Sequence, residues 1–155
     1  MSRIEPMRAV IQRVSHARVV VEGRVTGEID RGLVVLIAVG RQDSQDVAAS
    51  MAEKILHLRI FNDDQGKMNR SLLDTGGAIL AVSQFTLYGD ARGQRRPSFL
   101  QAAPPEQGKA GYEEFVRALQ ALNVRVQTGV FQAHMSLELV NDGPVTILLD
   151  SEKTF

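Results

Sequence analysis

Two short segments gather polar and backbone-shaping residues where chemistry can be done. The first is Ser83-Gln84-Phe85-Thr86-Leu87-Tyr88, which closes an apolar run and leads into Gly89. Strand ends that open into loops let polar groups meet a ligand while the core stays dry. Ser83, Gln84 and Thr86 place hydroxyls and an amide where that run fails. The same groups also suit a plain strand exit whose hydroxyls satisfy neighbouring backbone. The second segment is Asn141-Asp142-Gly143-Pro144-Val145-Thr146. Asp-Gly between two strands is a hairpin signal, because the turn requires positive φ, and the proline removes a donor just after it. Only about 5–6% of X–Pro bonds are cis, so the pattern by itself predicts an ordinary trans turn.

Other groups are less specific. Arg92, Arg95 and Arg96 make one loop locally basic, and Lys67 and Arg70 extend that patch if the fold brings them near. Guanidinium forks suit phosphate oxygens, although charged loops need no ligand. His16, His57 and His134 have no metal-ligand spacing and no cysteine beside them, so no metal or cofactor is expected. His134 lies near the last strands, within reach of a site or as a structural histidine. No Gly-x-Ser-x-Gly occurs, and the glycines from Gly27 to Gly32 are followed by Leu33 where a phosphate loop needs lysine.

Positioning these residues falls to a strand-rich chain. Val10, Ile11 and Val14, then Val19 to Val21, read as strands interrupted near Ser15-His16, with turns at Glu22-Gly23 and Thr26-Gly27. Leu33 to Val39 is apolar on both faces, as a central covered strand requires. Val47, Met51, Ile55 and Leu58 step by four, four and three, predicting a helix capped by Asp43 or Ser44. Asn62 to Gly66 makes a turn, and Ala78 to Leu87 reads as a second buried strand. Pro104-Pro105 opens a second helix with Tyr112, Phe115, Val116, Leu119 and Leu122 inward. Strands at 124–127, 135–140 and 145–149 complete a single α/β domain over 7–155, while residues 1–6 fit no pattern. The expected fold is a barrel- or sandwich-like β core with two main helices packed on one side.

Composition narrows the function. The 155 residues carry 18 Lys+Arg and 18 Asp+Glu, a formal charge of +0, so any polyanion must be held by a local patch and with a shallow salt dependence. The absence of cysteine excludes disulfides and thiol nucleophiles, and 5% aromatics without tryptophan supply a poor platform for stacking bases. No apolar run reaches the roughly 18 residues of a membrane span, and the first residues hold no apolar secretory core, which points to the cytoplasm.

Four stretches together resemble one family: Met7-Arg8-Ala9-Val10-Ile11-Gln12-Arg13-Val14, Ser83-Gln84-Phe85-Thr86-Leu87, Arg96-Pro97-Ser98-Phe99 and Asn141-Asp142-Gly143-Pro144-Val145-Thr146. In this order and separation they are similar to D-aminoacyl-tRNA deacylases, from Met7 to Asp150. The resemblance implies hydrolysis of D-aminoacyl-tRNA by a homodimer with its active sites at the subunit interface, and because glycine has no side chain to exclude, glycyl-tRNA is expected to be accepted as well. It implies a cis Gly143-Pro144 bond, against the pattern, entering the partner's pocket beside Ser83, Gln84, Phe85 and Thr86. Met135 would line that pocket, Arg13 would hold the Gly-Pro element, and Arg92, Arg95 and Arg96 would meet the acceptor end of the tRNA. Two other classes stay open: a non-catalytic tRNA-binding module, and a small-ester hydrolase with Thr86 as nucleophile and His134 as base.

Overall fold

The computed structural model describes residues 6–41 and 47–155. Its first strand, β1 (Met7–Val21), organises the rest. One edge of β1 pairs along most of its length with β8 (Ser136–Asp150). The other edge is shared: Met7 to Val14 pair with β3 (Gly32–Val39), and Ala17 to Val21 pair with β2 (Arg24–Ile29). Beyond β3 lie β6 (Ala78–Ser83) and β7 (Val126–Thr128), both in parallel register, giving the order β2-β1-β3-β6-β7. The expected break at Ser15-His16 is a register irregularity within one strand.

The two ends of this order approach each other, so the sheet is nearly a closed barrel. A Cβ on Gly27 would lie 2.5 Å from the Thr128 carbonyl oxygen and 3.1 Å from Leu80 Cδ1. Gly27 is therefore not a turn residue, as the pattern suggested, but the contact point where β2 meets β7. Inside the barrel Val14, Ala17, Val19, Ile29, Val34, Leu80 and Val82 form one apolar cluster.

The opposite face of β3 offers Leu33, Val35 and Ile37 to the helices. Helix α1 (Val47–His57) answers with Met51 and Ile55 from the expected stripe, although Leu58 follows the helix rather than ending it. The cap expected at Asp43 or Ser44 lies outside the described residues. Between them, β4 (Phe61–Asn62) and β5 (Met68–Arg70) make a small hairpin. Then comes α2 (Leu72–Thr75), closed by a capping box in which Asp74 N–H donates to Ser71 Oγ and Ser71 N–H to Asp74 Oδ2. Helix α3 (Pro105–Ala121) begins with proline at its first position, where the missing N–H costs nothing. It buries Tyr112, Phe115 and Leu119, and the Tyr112 hydroxyl donates to the Ala81 carbonyl oxygen at 2.8 Å. Phe115 is fully buried, so truncating it to alanine is worth about 3–5 kcal/mol. No helix of the described residues is long and apolar enough to cross a membrane. Pro6 belongs with the packed part, since it is buried and its carbonyl accepts from Gly40 N–H at 2.6 Å.

Two strand boundaries differ from the pattern. The strand expected over 78–87 ends at Ser83, and Phe85–Tyr88 form a 3-10 turn. The two strands expected over 135–149 are one continuous strand, β8, with the Asp-Gly-Pro segment as a bulge rather than a hairpin.

Candidate active site

Strand β6 is buried from Ala78 to Val82, and polarity begins at Ser83, which pairs with Ile37. Gln84 stays extended and its N–H donates to the Ile37 carbonyl oxygen at 2.9 Å. The chain then tightens, with Leu87 N–H bonding Gln84 O at 3.2 Å and Gly89 N–H bonding Thr86 O at 2.9 Å. A turn of this kind leaves its first N–H groups without internal partners. Those of Phe85 and Thr86 make no hydrogen bond among the described residues. Thr86 is exposed, and its hydroxyl oxygen accepts from Gln84 Nε2 at 3.0 Å. Phe85, 56% exposed, meets Phe99 edge-on at 5.2 Å between ring centres.

Arg8 on β1 holds this turn from behind. Its Nη1 donates to the Leu87 carbonyl oxygen at 3.2 Å, and its guanidinium lies 4.5 Å from the centre of the Tyr88 ring. Its Nε is 3.6 Å from Asp150 Oδ2, on a carboxylate with no exposed side-chain surface. That carboxylate also accepts from Glu152 N–H at 3.0 Å and from the Thr154 hydroxyl, folding the chain end back so that Phe155 covers Arg8 at 5.3 Å.

The Gly143–Pro144 element stands on the exposed side of β8, and its peptide bond is cis. Gln12 pairs with Thr146 and Val14 with Asn141, so Asp142, Gly143, Pro144 and Val145 all face Arg13. Gly143 has φ +133°, and a Cβ there would lie 2.9 Å from Val145 Cγ2 and 3.0 Å from Arg13 Nη2. Side chains brace the bulge from both flanks. Asn141 Oδ1 accepts from Val145 N–H at 2.9 Å, and Asn141 Nδ2 donates to Thr146 Oγ1 at 3.1 Å. Arg13, nearly buried, donates from Nε to the Asp142 carbonyl oxygen at 3.0 Å and from Nη1 to the Ile60 carbonyl oxygen at 2.7 Å.

Within one chain these two segments do not meet. Arg13 lies level with Leu33 and hence with Ile79, four residues before Ser83 on β6. Four residues of strand are about 13 Å, and the bulge is further offset across the sheet. Met135 stands just ahead of β8 and packs on the barrel cluster, its sulfur against Gly129. Gly129 N–H in turn donates to the Ala81 carbonyl oxygen at 3.4 Å, which puts Met135 on the β6 side of the barrel.

The arginines separate. Arg92 forks onto Asp90, Nε to Oδ1 at 2.9 Å and Nη2 to Oδ2 at 2.7 Å, and this pairing holds the Asp90 carboxyl down to about 2. Arg95 and Arg96 are exposed and unpaired among the described residues. Arg70 belongs elsewhere, on β5, with Nη2 donating to the Asp74 carbonyl oxygen at 2.9 Å. Lys67 sits in the β4–β5 turn, its N–H on Asp63 Oδ1 at 3.0 Å. None of the histidines bonds Ser83 or Thr86 among the described residues. His16 is 2.9 Å from Glu28, and His57 Nδ1 lies 2.8 Å from the Glu53 carbonyl oxygen in its own helix. No cluster of three or more His, Cys, Asp or Glu that could hold a metal occurs among the described residues. Sequence reading gave no role to Arg8, Asn141 and Asp150. Arg8 and Asn141 stood inside quoted motifs, but nothing local marked them as braces.

Residues 10–150 match the family described as D-Tyr-tRNA(Tyr) deacylase. A D-aminoacyl-tRNA deacylase of Symbiobacterium thermophilum is 60% identical over 149 residues, 96% of this chain and 99% of that protein. The D-aminoacyl-tRNA deacylase of Koribacter versatilis is 61% identical over 149 residues, 96% of this chain and all of that protein. Among solved structures, a c-Myc DNA unwinding element binding protein superposes with a TM-score of 0.86 at 40% identity, covering 92% of this chain and 97% of that one. A probable eukaryotic D-amino acid tRNA deacylase shares the fold, with a TM-score of 0.81 at 22% identity over 94% of this chain and 99% of that one.

Proposed function

Since the chain belongs to the D-Tyr-tRNA(Tyr) deacylase family and is on that ground a D-aminoacyl-tRNA deacylase, we propose a specific reading of how its two segments share the work. Two copies associate, and the Gly143–Pro144 bulge of one enters the pocket beside Ser83, Gln84, Phe85 and Thr86 of the other. The observation that carries this is the separation of the two segments along the sheet within one chain. Val140 and Leu148, 57% and 56% exposed on either side of the bulge, give the outer face of β8 apolar surface for a twin to cover.

The bulge acts as a wall. Backbone groups fix the α-amino group and the ester, so exchanging hand swings the side chain of an L-amino acid into Gly143 and Pro144. Rejection by a wall needs no attraction to the right substrate. Glycine has no side chain to reject, so glycyl-tRNA is hydrolysed as well. Met135 lines the pocket, and Arg13 fixes the wall by holding the Asp142 carbonyl.

Hydrolysis proceeds by water attack on the ester carbonyl carbon. The N–H groups of Phe85 and Thr86 receive the developing oxyanion, and the C–O bond to the ribose breaks. The ribose oxygen takes the proton that water gives up, assisted by the neighbouring ribose hydroxyl. Positioning with oxyanion stabilisation suffices for a reactive ester. Thr86 has no base beside it, which disfavours a side-chain nucleophile. Arg92, Arg95 and Arg96 meet the acceptor end of the tRNA, and the enzyme works in the cytoplasm, where tRNA is charged.

The test compares deacylation of matched D- and L-aminoacyl-tRNA with hydrolysis of a D-amino-acid ethyl ester. Fast loss from D-aminoacyl-tRNA alone supports the reading. Binding without ester loss would make the chain a carrier, and equal rates on the ethyl ester would make it a small-ester hydrolase. Loss of turnover in both Ser83→Ala and Thr86→Ala, with binding intact, would replace water attack by side-chain catalysis.

A further inference from the structure

Two adjoining cavities of about 410 and 380 Å³ share Arg31, Thr75 and Gly77, and so form one groove on the side of the barrel. Its cations come from separate elements: Arg70 from β5, Arg125 ahead of β7, Arg31 between β2 and β3, with Arg13 at one end. Both lining carboxylates already face a cationic or ionisable partner. Asp30 stands 3.4 Å from His16 Nδ1, and Asp142 3.6 Å from Arg13 Nε. Arg31, Arg70 and Arg125 are exposed, and none is ion-paired among the described residues. In a chain of zero formal charge, four lining arginines against two lining carboxylates give the groove a local positive field, to which Arg31 and Arg125 contribute most because Arg70 also acts on the Asp74 carboxylate.

Planar guanidinium forks match phosphate oxygens better than they match any neutral ligand. Gly76 and Gly77 leave one wall of the groove without side chains, so an extended backbone can lie along it. At the other end stand Arg13 and Asp142, the residues that carry the bulge.

We infer that this groove binds the phosphodiester backbone of the RNA substrate, through Arg31, Arg70 and Arg125. The identity of the polyanion rests on the deacylase reading, whereas the anion chemistry does not. A strand held here runs past the bulge and toward the pocket of the partner subunit. The groove is thus a second RNA contact, distinct from the Arg92 loop, where Asp90 already neutralises one arginine.

The test measures binding of uncharged tRNA against salt concentration for the parent chain and the triple variant R31Q/R70Q/R125Q. Affinity is expected to fall about 10- to 100-fold at low salt, and the log–log salt slope to become shallower by about two to three. In parallel, kcat/KM for D-aminoacyl-tRNA is expected to fall through KM, while a D-aminoacyl CCA trinucleotide is hydrolysed at the parent rate. An unchanged tRNA affinity and slope would overturn the inference, as would an equal loss on the trinucleotide. Should the triple variant not fold, Arg31→Gln and Arg125→Gln are each expected to lower the slope by about one. If the parent binds tRNA but does not deacylate D-aminoacyl-tRNA, the deacylase reading fails while the binding measurement still decides the groove.

Discussion

Replacing Arg13 tests whether one buried guanidinium holds the bulge in place. Its Nη1 donates to the Ile60 carbonyl oxygen at 2.7 Å and its Nε to the Asp142 carbonyl oxygen at 3.0 Å. Hydrogen bonds from a charged donor contribute about 1.5–3 kcal/mol each, and Ile60 O has little access to water as a substitute partner. Methionine fills a similar length without donors, so Arg13→Met is expected to cost about 3–5 kcal/mol and to lower Tm by about 10 °C. Lysine brings one ammonium that serves one carbonyl, so Arg13→Lys is expected to lose about half as much. The functional consequence follows from the same bonds. If the bulge is the proposed wall, releasing Asp142 moves it, and L-aminoacyl-tRNA hydrolysis is expected to rise relative to the D form. Thermal unfolding and paired D and L deacylation rates read both effects. A methionine variant melting within about 2 °C of the parent, with its D to L ratio unchanged, would refute the bracing role.

Three further outcomes are expected. Burial raises the Tyr112 hydroxyl from 10.0 to about 12, so the folded chain keeps a proton that the unfolded chain loses in that window. Stability is therefore expected to fall between pH 10 and 12 by up to about 3 kcal/mol, and Tyr112→Phe to remove that fall; parallel alkaline unfolding curves for the two proteins would contradict it. Gly27→Ala is expected to cost about 1–3 kcal/mol in urea unfolding, because its Cβ meets backbone on β7, and a neutral effect would mean that the barrel ends yield freely. Arg8→Gln removes the cation from Tyr88 and from the Leu87 carbonyl, so kcat is expected to fall about 10-fold with KM unchanged, a loss of about 1.4 kcal/mol in the barrier; a fall in KM-dependent binding alone would assign Arg8 to substrate contact.

Much of this molecule was legible in its sequence, and the misses share a cause. The uniform apolar run Leu33 to Val39 reads as a covered central strand because both faces are covered, by the barrel cluster and by the helices. The stripes of α1 and α3 are legible for the same reason, since one side of each faces the core. Local turn signals misled where long-range pairing decided the outcome. Thr26-Gly27 looked like a turn, but the glycine is needed for the approach of Thr128, a residue about a hundred positions away. Asp142-Gly143 looked like a hairpin, but β1 pairs on both sides of it and keeps β8 continuous. The apolar run from Ala78 fails at Ser83-Gln84, where β6 ends, but Phe85 and Leu87 resume apolar character, so the turn that follows shows only in its hydrogen bonds. At the proposed site, residue types singled out Ser83–Thr86 and Gly143–Pro144. The braces Arg8, Asn141 and Asp150 act across the fold and leave no local trace.

The most direct measurement compares D- and L-aminoacyl-tRNA carrying the same amino acid, for the parent chain and for Pro144→Gly. If the bulge of one subunit is the wall that sorts handedness in the other, the parent hydrolyses the D form at least about 100-fold faster, a difference of about 2.7 kcal/mol in the barrier. Removing the ring then raises L hydrolysis while D hydrolysis persists. Equal rates on both forms by the parent, or an unchanged ratio in the variant, would contradict it.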